Sequence, residues 1–364
     1  MEKNATRFGY LDALRGFAAY AVIYFHAGYD ATKAGTLDHA WERSVFWLTS
    51  YGFDLGKVAV TLFFAISGFV IPFSLKRDGE RPVEAFVIGR FFRLYPAYWL
   101  SIVGAILVNY WMIGQNFTIT QLIANITMLQ GFVGQKPMQG LFWTLQIELI
   151  FYALCVALFL FVNLRSPRTA FGVAILMLVA AIAAGALRFM TGKAVPVAIP
   201  LALFVMFVGM LWRLATIEQD ALARRSVVVL LALFAVVMPV VANFAYDEGA
   251  LRYTITYYLA IGIFLLFTTK IRLQSPILSF LGRISYSVYL FGSLVQLSID
   301  HYFGATLRAA GVPLHVGILV SMLLATVVAA LVYRWIEAAA IDAGRAVIRN
   351  RLRTAPKAVD RVAL

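Results

Sequence analysis

Two ionisable residues, Arg15 and His26, lie eleven positions apart in one apolar stretch of the chain. A guanidinium group binds phosphate or carboxylate through paired hydrogen bonds, and a neutral imidazole can accept a proton as a general base. In an α-helix, eleven residues make three turns plus about 20°, so both side chains share a face and lie roughly 16 Å apart along the axis. That spacing would suit an elongated substrate with an anionic head and a reactive group at its far end.

A carboxylate, Glu148, lies six residues into a second apolar stretch that begins at residue 142. If this stretch begins at the side where the first one ends, Glu148 and His26 both lie roughly 8–9 Å below that surface. Glu148 is the one acid deep in any apolar stretch, and His26 is the one deep histidine. A carboxylate beside an imidazole orients it as a base, so the two residues are predicted to form a catalytic pair.

Further arginines are expected at the other side of the chain's apolar layer. Arg90 and Arg93 lie three positions apart in GRFFRLYPAYW, which places them on one side of a helical turn. Arg283 lies five residues into its stretch, at a depth of roughly 6–8 Å, like Arg15. Asp12 precedes Arg15 by three positions, so the two can pair on one helix face. An acyl-CoA molecule, with its phosphates at these arginines, would fit the spacing.

The elements that position these residues are membrane spans. Of the 364 residues, 62% are hydrophobic and 13% are charged, and the mean hydropathy is +0.83. A soluble domain is about half apolar and about a quarter charged, so an ordinary soluble enzyme, a disordered chain and a secreted disulfide scaffold are excluded. A span needs about 20 residues. Ten stretches qualify: 11–31, 55–75, 94–113, 142–164, 170–188, 196–212, 226–245, 252–269, 278–298 and 315–337.

The distribution of lysine and arginine predicts how the ten spans are oriented. With the N-terminus in the cytoplasm, the inner segments hold 20 of these residues and the outer loops hold 5. We therefore predict an all-α polytopic protein with both termini cytoplasmic. This bias also accounts for the net charge of +13 without a nucleic-acid partner. The transmembrane domain is predicted over 1–337, a basic cytoplasmic tail over 338–364, and a short interfacial helix within 117–132.

Structural roles are open for several of these residues. A deep histidine can be a satisfied structural residue, and Arg15, Arg90 and Arg93 can serve only to anchor the chain at the lipid headgroups. His315 lies at an interface with no clear partner in the sequence. No cluster of histidine and acidic residues has the spacing of metal ligands, so no metal site is predicted.

Five segments in this order resemble the signatures of the acyltransferase-3 family of membrane-bound O-acyltransferases. They contain, in turn, the Arg-x10-His spacing, a Ser-Gly-Phe element, an Arg-x-x-Arg motif, a Trp-x-Leu-x-x-Glu element and a Gly-Arg-x-Ser-Tyr element. The matching segments are YLDALRGFAAYAVIYFH (10–26), LFFAISGF (62–69), Arg90-Phe-Phe-Arg93 followed by Leu-Tyr-Pro, WTLQIELIFY (143–152) and LGRISYSVYL (281–290).

The resemblance implies transfer of an acyl group, usually acetyl, from cytoplasmic acyl-CoA to a hydroxyl of a bacterial exopolysaccharide or lipid-linked saccharide. It implies a multi-pass protein of the bacterial inner membrane that is embedded in the lipid bilayer and holds no permanently bound cofactor. His26 would be catalytic, with Glu148 as its partner. The residues expected to bind or line the path of acyl-CoA are Arg15, Ser67, Arg90, Arg93, Tyr95, Trp143, Arg283, Ser285, Tyr286 and Tyr289.

The sequence departs from the family pattern at two places. Many members have a histidine shortly after the Tyr-Leu of the ninth span, where this chain has Gly292, so base chemistry must rest on His26. The family often has a basic residue and proline after a late glutamate, but Glu337 is followed by two alanines, so Glu337 is expected only to close the last span. The alternative function is a transporter or flippase of glycolipids, which ten helices with buried charges would also suit.

Overall fold

The computed structural model describes residues 8–75, 81–246 and 249–352, and within these ranges it contains helices and no strand. Its α-helices are α1 Gly9–Ala34, α2 Ala40–Trp47, α3 Leu55–Val70, α4 Pro82–Ile113, α5 Ile119–Ile126, α6 Phe142–Phe161, α7 Pro167–Thr191, α8 Ala198–Thr216, α9 Ala221–Ala245, α10 Ala250–Thr269, α11 Pro276–Ile299, α12 Ala305–Ala309, α13 Leu314–Val332 and α14 Ala338–Leu352. We call the end of the bundle where α1 begins the inner end, and the opposite end the outer end.

Helices cover all ten predicted spans, which confirms the all-α polytopic fold. Within the described ranges, nine helical segments are long and apolar enough to cross a membrane. The remaining predicted span corresponds to α1, which is not among these nine; its 26 residues reach roughly 39 Å. It is less apolar than the others because Asp12, Arg15, His26 and Asp30 interrupt it. Asp12 is buried nonetheless, because α1 packs between α3 and α11.

The predicted basic tail begins as a continuation of the last span. The segment Leu314–Arg351 is helical throughout, and its final part, α14, packs along the inner half of α4. Gly344 of α14 lies against the ring of Phe92. Residues 353–364 of the predicted tail lie outside the described ranges, as do Lys3, Arg7, Lys76 and Arg77 of the predicted inner segments.

Two helix crossings bring backbone against backbone, and glycine makes both possible. A Cβ atom on Gly68 of α3 would lie 1.8 Å from the carbonyl oxygen of Met206 in α8, and one on Gly209 would lie 2.2 Å from that of Ala65. At the second crossing, a Cβ on Gly282 of α11 would meet the carbonyl oxygen of Asp12 in α1 at 2.3 Å. Small residues allow helices in a membrane to approach closely and gain van der Waals contact.

The segment between α4 and α6 folds back along α4, and we call it the re-entrant segment; it contains α5, a short helix within the predicted stretch 117–132. Helix α5 descends along α4, where the Tyr98 hydroxyl donates to the carbonyl of Asn125 at 2.6 Å and the Trp99 indole donates to that of Ile126 at 3.0 Å. Phe142, the first residue of α6, then packs on the Tyr98 ring with centroids 4.7 Å apart. Tyr98 precedes the outer end of α4 by fifteen residues, so α6 begins roughly 22 Å below that end.

Buried amides satisfy the backbone of this re-entrant segment. The Asn125 side chain is fully buried; its amide donates to the carbonyls of Gln121 and Lys136, and its oxygen accepts from Met138 N at 3.0 Å. With its amide oxygen facing the loop, Gln146 of α6 accepts from the backbone N–H groups of Gln130 and Gly131. Irregular backbone at membrane depth is tolerated only where protein or water satisfies its polar groups.

Candidate active site

A cavity opens in the inner half of the bundle, between α1, α3, α4, α6 and α11. It brings together eight of the residues singled out from the sequence, although they come from five different helices. They are Arg15, Ser67, Arg90, Arg93, Glu148, Ser285, Tyr286 and Tyr289. The remaining wall is apolar, formed largely by Val60, Phe63, Phe64 and Ile66 of α3. We call this space the inner cavity.

The inner cavity carries an excess of positive charge. Arg15, Arg90 and Arg93 line it together with one carboxylate, Glu148. Glu148 accepts a hydrogen bond from the hydroxyl of Tyr152 at 2.5 Å, and its charge acts on Arg15. Three guanidinium groups facing one carboxylate attract an anion, and their planar donors match the oxygens of a phosphate.

Glu337 is buried behind these arginines. Its side chain is 0% exposed, with one oxygen 3.7 Å from Arg93 Nη1 and the other accepting from the Ser287 hydroxyl at 2.9 Å. Its charge also acts on Arg15. Glu337 therefore does more than close the last span. Its negative charge balances the positive charge of the arginine cluster, and its contact with Arg93 positions that side chain.

We expect Glu337→Gln to destabilise the protein by about 2–4 kcal/mol, since removing one partner leaves buried positive charge uncompensated. The matched control is Asp342→Asn on α14. Asp342 lies 2.9 Å from Arg345, but the two side chains are 71% and 74% exposed. Exposed pairs contribute at most about 1 kcal/mol. Thermal unfolding in detergent compares the two variants, and equal effects would contradict a buried charge-balancing role for Glu337.

A second, larger cavity lies in the outer half, and His26 is in its wall. Its wall is formed by α1, α2, α11, α12, the residues on either side of α12 and the start of α13. The polar side chains of the wall are His26, Asp30, Thr36, Asp38, His39, Glu42, Ser293, Gln296, Asp300 and Arg308. We call this space the outer cavity. The His26 side chain is accessible within it.

The structure separates His26 from Glu148, so the predicted pair does not form. The two residues line different cavities, and the carboxylates whose charges act on His26 are Asp30 and Asp54. The prediction assumed that α6 starts at the outer surface. Because the re-entrant segment starts α6 far below it, Glu148 reaches the depth of Arg93 instead.

Three residues expected to bind acyl-CoA lie outside the inner cavity. The Tyr95 hydroxyl donates to the carbonyl of Thr127 at 3.0 Å, which holds the re-entrant segment. Trp143 packs against Phe64 and lies under the ammonium of Lys57. The guanidinium of Arg283 lies over Phe280, and α11 turns it away from the cavity. A sequence motif gives the order of its residues, but it does not show which face of the helix each side chain occupies.

A carboxylate–imidazole–phenol chain borders the outer cavity and was not foreseen. His315 Nδ1 lies 2.6 Å from the Glu42 carboxylate, and His315 Nε2 lies 2.8 Å from the Tyr24 hydroxyl. Burial alone would raise the pKa of the Glu42 carboxyl, but the hydrogen bonds from His315 outweigh it and lower that pKa. Glu42 and His315 are 273 residues apart, so no local pattern could have joined them.

Comparison with known proteins gives two partial relatives. The chain is 28% identical over 136 residues to ORF330 of Acidianus two-tailed virus, a protein provisionally named an acetyltransferase. The match covers 37% of this chain and 36% of that protein. It is 31% identical over 144 residues to the exopolysaccharide production protein ExoZ of Rhizobium meliloti (strain 1021), covering 36% and 42%. The chain thus spans less than half the length of either relative. No solved structure matches it.

A family profile described as an acyltransferase domain matches nearly the whole chain. The match runs over residues 8–334, from the residue before α1 to two residues beyond α13. It includes the residues of both cavities and all five sequence motifs. The chain therefore belongs to the acyltransferase-3 family.

Proposed function

We propose that the protein transfers an acyl group, acetyl in the first instance, from cytoplasmic acyl-CoA to a hydroxyl of a bacterial exopolysaccharide or lipid-linked glycan. The observation that carries this proposal is the stacking of two cavities along α1. Arg15 lines the inner cavity, and His26 lines the outer one, eleven residues further along the same helix. A cationic cavity and a histidine cavity joined by one helix suit a donor that is anionic at one end and reactive at the other.

The donor would enter from the inner end, which we take to face the cytoplasm of the inner membrane. Its phosphates would bind Arg15, Arg90 and Arg93, which outnumber Glu148, the one carboxylate in the lining of the inner cavity. The pantetheine arm would then extend toward the outer end along α11. The distance of roughly 16 Å between Arg15 and His26 matches an extended arm better than a compact ligand.

His26 would act as the general base at the end of this path. It removes the proton from the acceptor hydroxyl while the oxygen attacks the thioester carbonyl. The new C–O bond forms, the C–S bond breaks, and the proton passes from His26 to the departing sulfur. Asp30, one helical turn beyond His26, stabilises the imidazolium electrostatically in place of Glu148.

The acceptor would occupy the outer cavity, whose carboxylate, amide and hydroxyl side chains can bind sugar hydroxyls. Its position supports acylation near the extracytoplasmic face. The ExoZ relative, named for exopolysaccharide production, supports a glycan as the acceptor class.

The test uses inside-out membrane vesicles from the producing bacterium, with radiolabelled acetyl-CoA and the native glycolipids. With the wild type, we expect label in the glycan fraction. In Arg93→Gln, the KM for acetyl-CoA should be at least about tenfold higher, because hydrogen bonds to charged groups contribute about 1.5–3 kcal/mol. The control is Arg225→Gln, an exposed residue of α9 that lines neither cavity. Equal KM values in both variants would exclude the inner cavity as the donor site.

A further inference from the structure

The two cavities share no lining residue in the described part of the chain, and at the start of α6 only Phe142 and Trp143 separate their linings. Leu141, which precedes α6, lines the outer cavity, whereas Thr144 and Leu145 in its first turn line the inner cavity. On α11, Tyr289 lines the inner cavity and Ser293, one turn further, lines the outer one. We call the layer between the two cavities the partition. Thr144 and Tyr289 lie on its inner side, and Leu141 and Ser293 lie on its outer side.

A compact hydrogen-bonded cluster holds this partition closed. The Tyr289 hydroxyl lies 3.0 Å from the carbonyl oxygen of Leu141 and 2.7 Å from the hydroxyl of Thr144. The Thr144 hydroxyl also donates to the Leu141 carbonyl, at 2.9 Å. The Tyr289 ring packs edge-on against Phe63 of α3. One phenol thus ties α11 to the start of α6 at the boundary between the cavities.

The opposite side of the partition is formed by α1 and offers no passage of its own. Between Arg15 and His26, the residues Ala18, Ala19 and Val22 are at most 4% exposed. They are packed into the hydrophobic core of the bundle. A molecule that passes from the inner to the outer cavity must therefore displace the cluster at Tyr289 rather than α1.

We propose that Tyr289 is the gate between the two cavities. The acyl end of the donor reaches His26 only when the Tyr289 hydroxyl releases the Leu141 carbonyl. This inference rests on the proposed function for the identity of the molecule that passes. The gate itself is a property of the fold and can be measured without any substrate. Closed, it keeps water of the outer cavity away from a thioester held in the inner cavity.

The test places a cysteine reporter at Val60, which lines the inner cavity five residues from the outer end of α3. A small, charged, membrane-impermeant thiol reagent is added to either side of oriented vesicles, in a Cys155→Ala background. We expect Val60→Cys to react from the inner side and to be protected from the outer side. Adding Tyr289→Phe should raise its rate from the outer side by roughly tenfold, the effect of losing one hydrogen bond.

The matched control is Tyr286→Phe. Tyr286 also lines the inner cavity, and its hydroxyl also lies 2.9 Å from a backbone carbonyl oxygen, that of Leu94, but away from the partition. It should leave labelling of Val60→Cys from the outer side unchanged. A cysteine at Leu297, which lines the outer cavity, should react from the outer side in every background.

Two outcomes would contradict the gate. One is fast labelling of Val60→Cys from the outer side while Tyr289 is intact. The other is a labelling rate from the outer side that rises in neither Tyr289→Phe nor Tyr289→Ala. A separate assay measures hydrolysis of acetyl-CoA by the purified protein without acceptor. In that reaction water adds to the acyl carbon, the C–S bond breaks, and acetate and free CoA thiol form. We expect Tyr289→Phe to raise this rate. If labelling changes and acetyl-CoA is neither bound nor hydrolysed, the gate holds and the proposed donor is wrong.

Discussion

Replacing His26 with alanine is expected to lower the rate of acyl transfer by about 10²- to 10⁴-fold, the usual contribution of a general base. His26 is the residue at which the Arg15 face of α1 reaches the outer cavity. The affinity for acetyl-CoA should change little, because Arg15, Arg90 and Arg93 line the other cavity. The measurement is kcat for acetyl transfer together with equilibrium binding of labelled acetyl-CoA.

His301→Ala is the control for this experiment. His301 is an exposed histidine in the turn that follows α11, and it lines neither cavity. Its loss should leave kcat within about twofold of the wild type, since exposed side chains far from the reacting groups contribute little to stability or geometry. A His26→Ala protein that transfers acetyl at the wild-type rate would make His26 a structural residue.

Replacing Gly68 with alanine is expected to cost at least about 3 kcal/mol of stability, at the upper end of overpacking effects. The added Cβ would lie 1.8 Å from the carbonyl oxygen of Met206, and a backbone atom cannot turn aside as a side-chain end can. Helices α3 and α8 would have to separate, and this would disturb the α3 wall of the inner cavity. The yield of monodisperse protein and its thermal unfolding in detergent measure the effect.

The matched substitution is Gly262→Ala in α10. Gly262 is also helical, but a Cβ there would meet no atom within 4 Å. Alanine should be neutral or stabilise the helix by up to about 1 kcal/mol, because glycine is the poorer helix former. If Gly68→Ala is as stable as Gly262→Ala, the close crossing of α3 and α8 is not a requirement of the fold.

Most of the fold could be predicted because a bilayer imposes length and hydrophobicity on every span. The predicted stretches 55–75 and 252–269 each differ from the structure by only a residue or two at either end. The start of the fourth predicted span shows the limit of this reasoning. Its residues are helical from Phe142, as expected, but hydropathy does not show that a re-entrant segment lowers that start into the bundle. The error displaced Glu148 from His26.

Residues that line a cavity could be predicted where they lie on a regular helix whose neighbouring helices are known. Arg15, Ser67 and Tyr289 line one cavity, although they come from three different helices, and their binding of acyl-CoA stays a prediction. Glu337 was undervalued because its partners are a hydroxyl on α11 and an arginine on α4. Contacts between distant segments leave no periodic trace in one sequence.

The polarity of α1 has a consequence for the order of events during synthesis. Asp12, Arg15 and His26 are covered or enclosed only once α11 lies beside α1, and α11 begins at Pro276. At about 5–20 residues per second, a ribosome needs roughly 15–50 s to make the intervening chain. During that interval α1, the one predicted span that is not among the nine most apolar helical segments of the described residues, lacks the cover of α11. Burial of the polar groups of α1 is therefore completed late, because it depends on packing against α11.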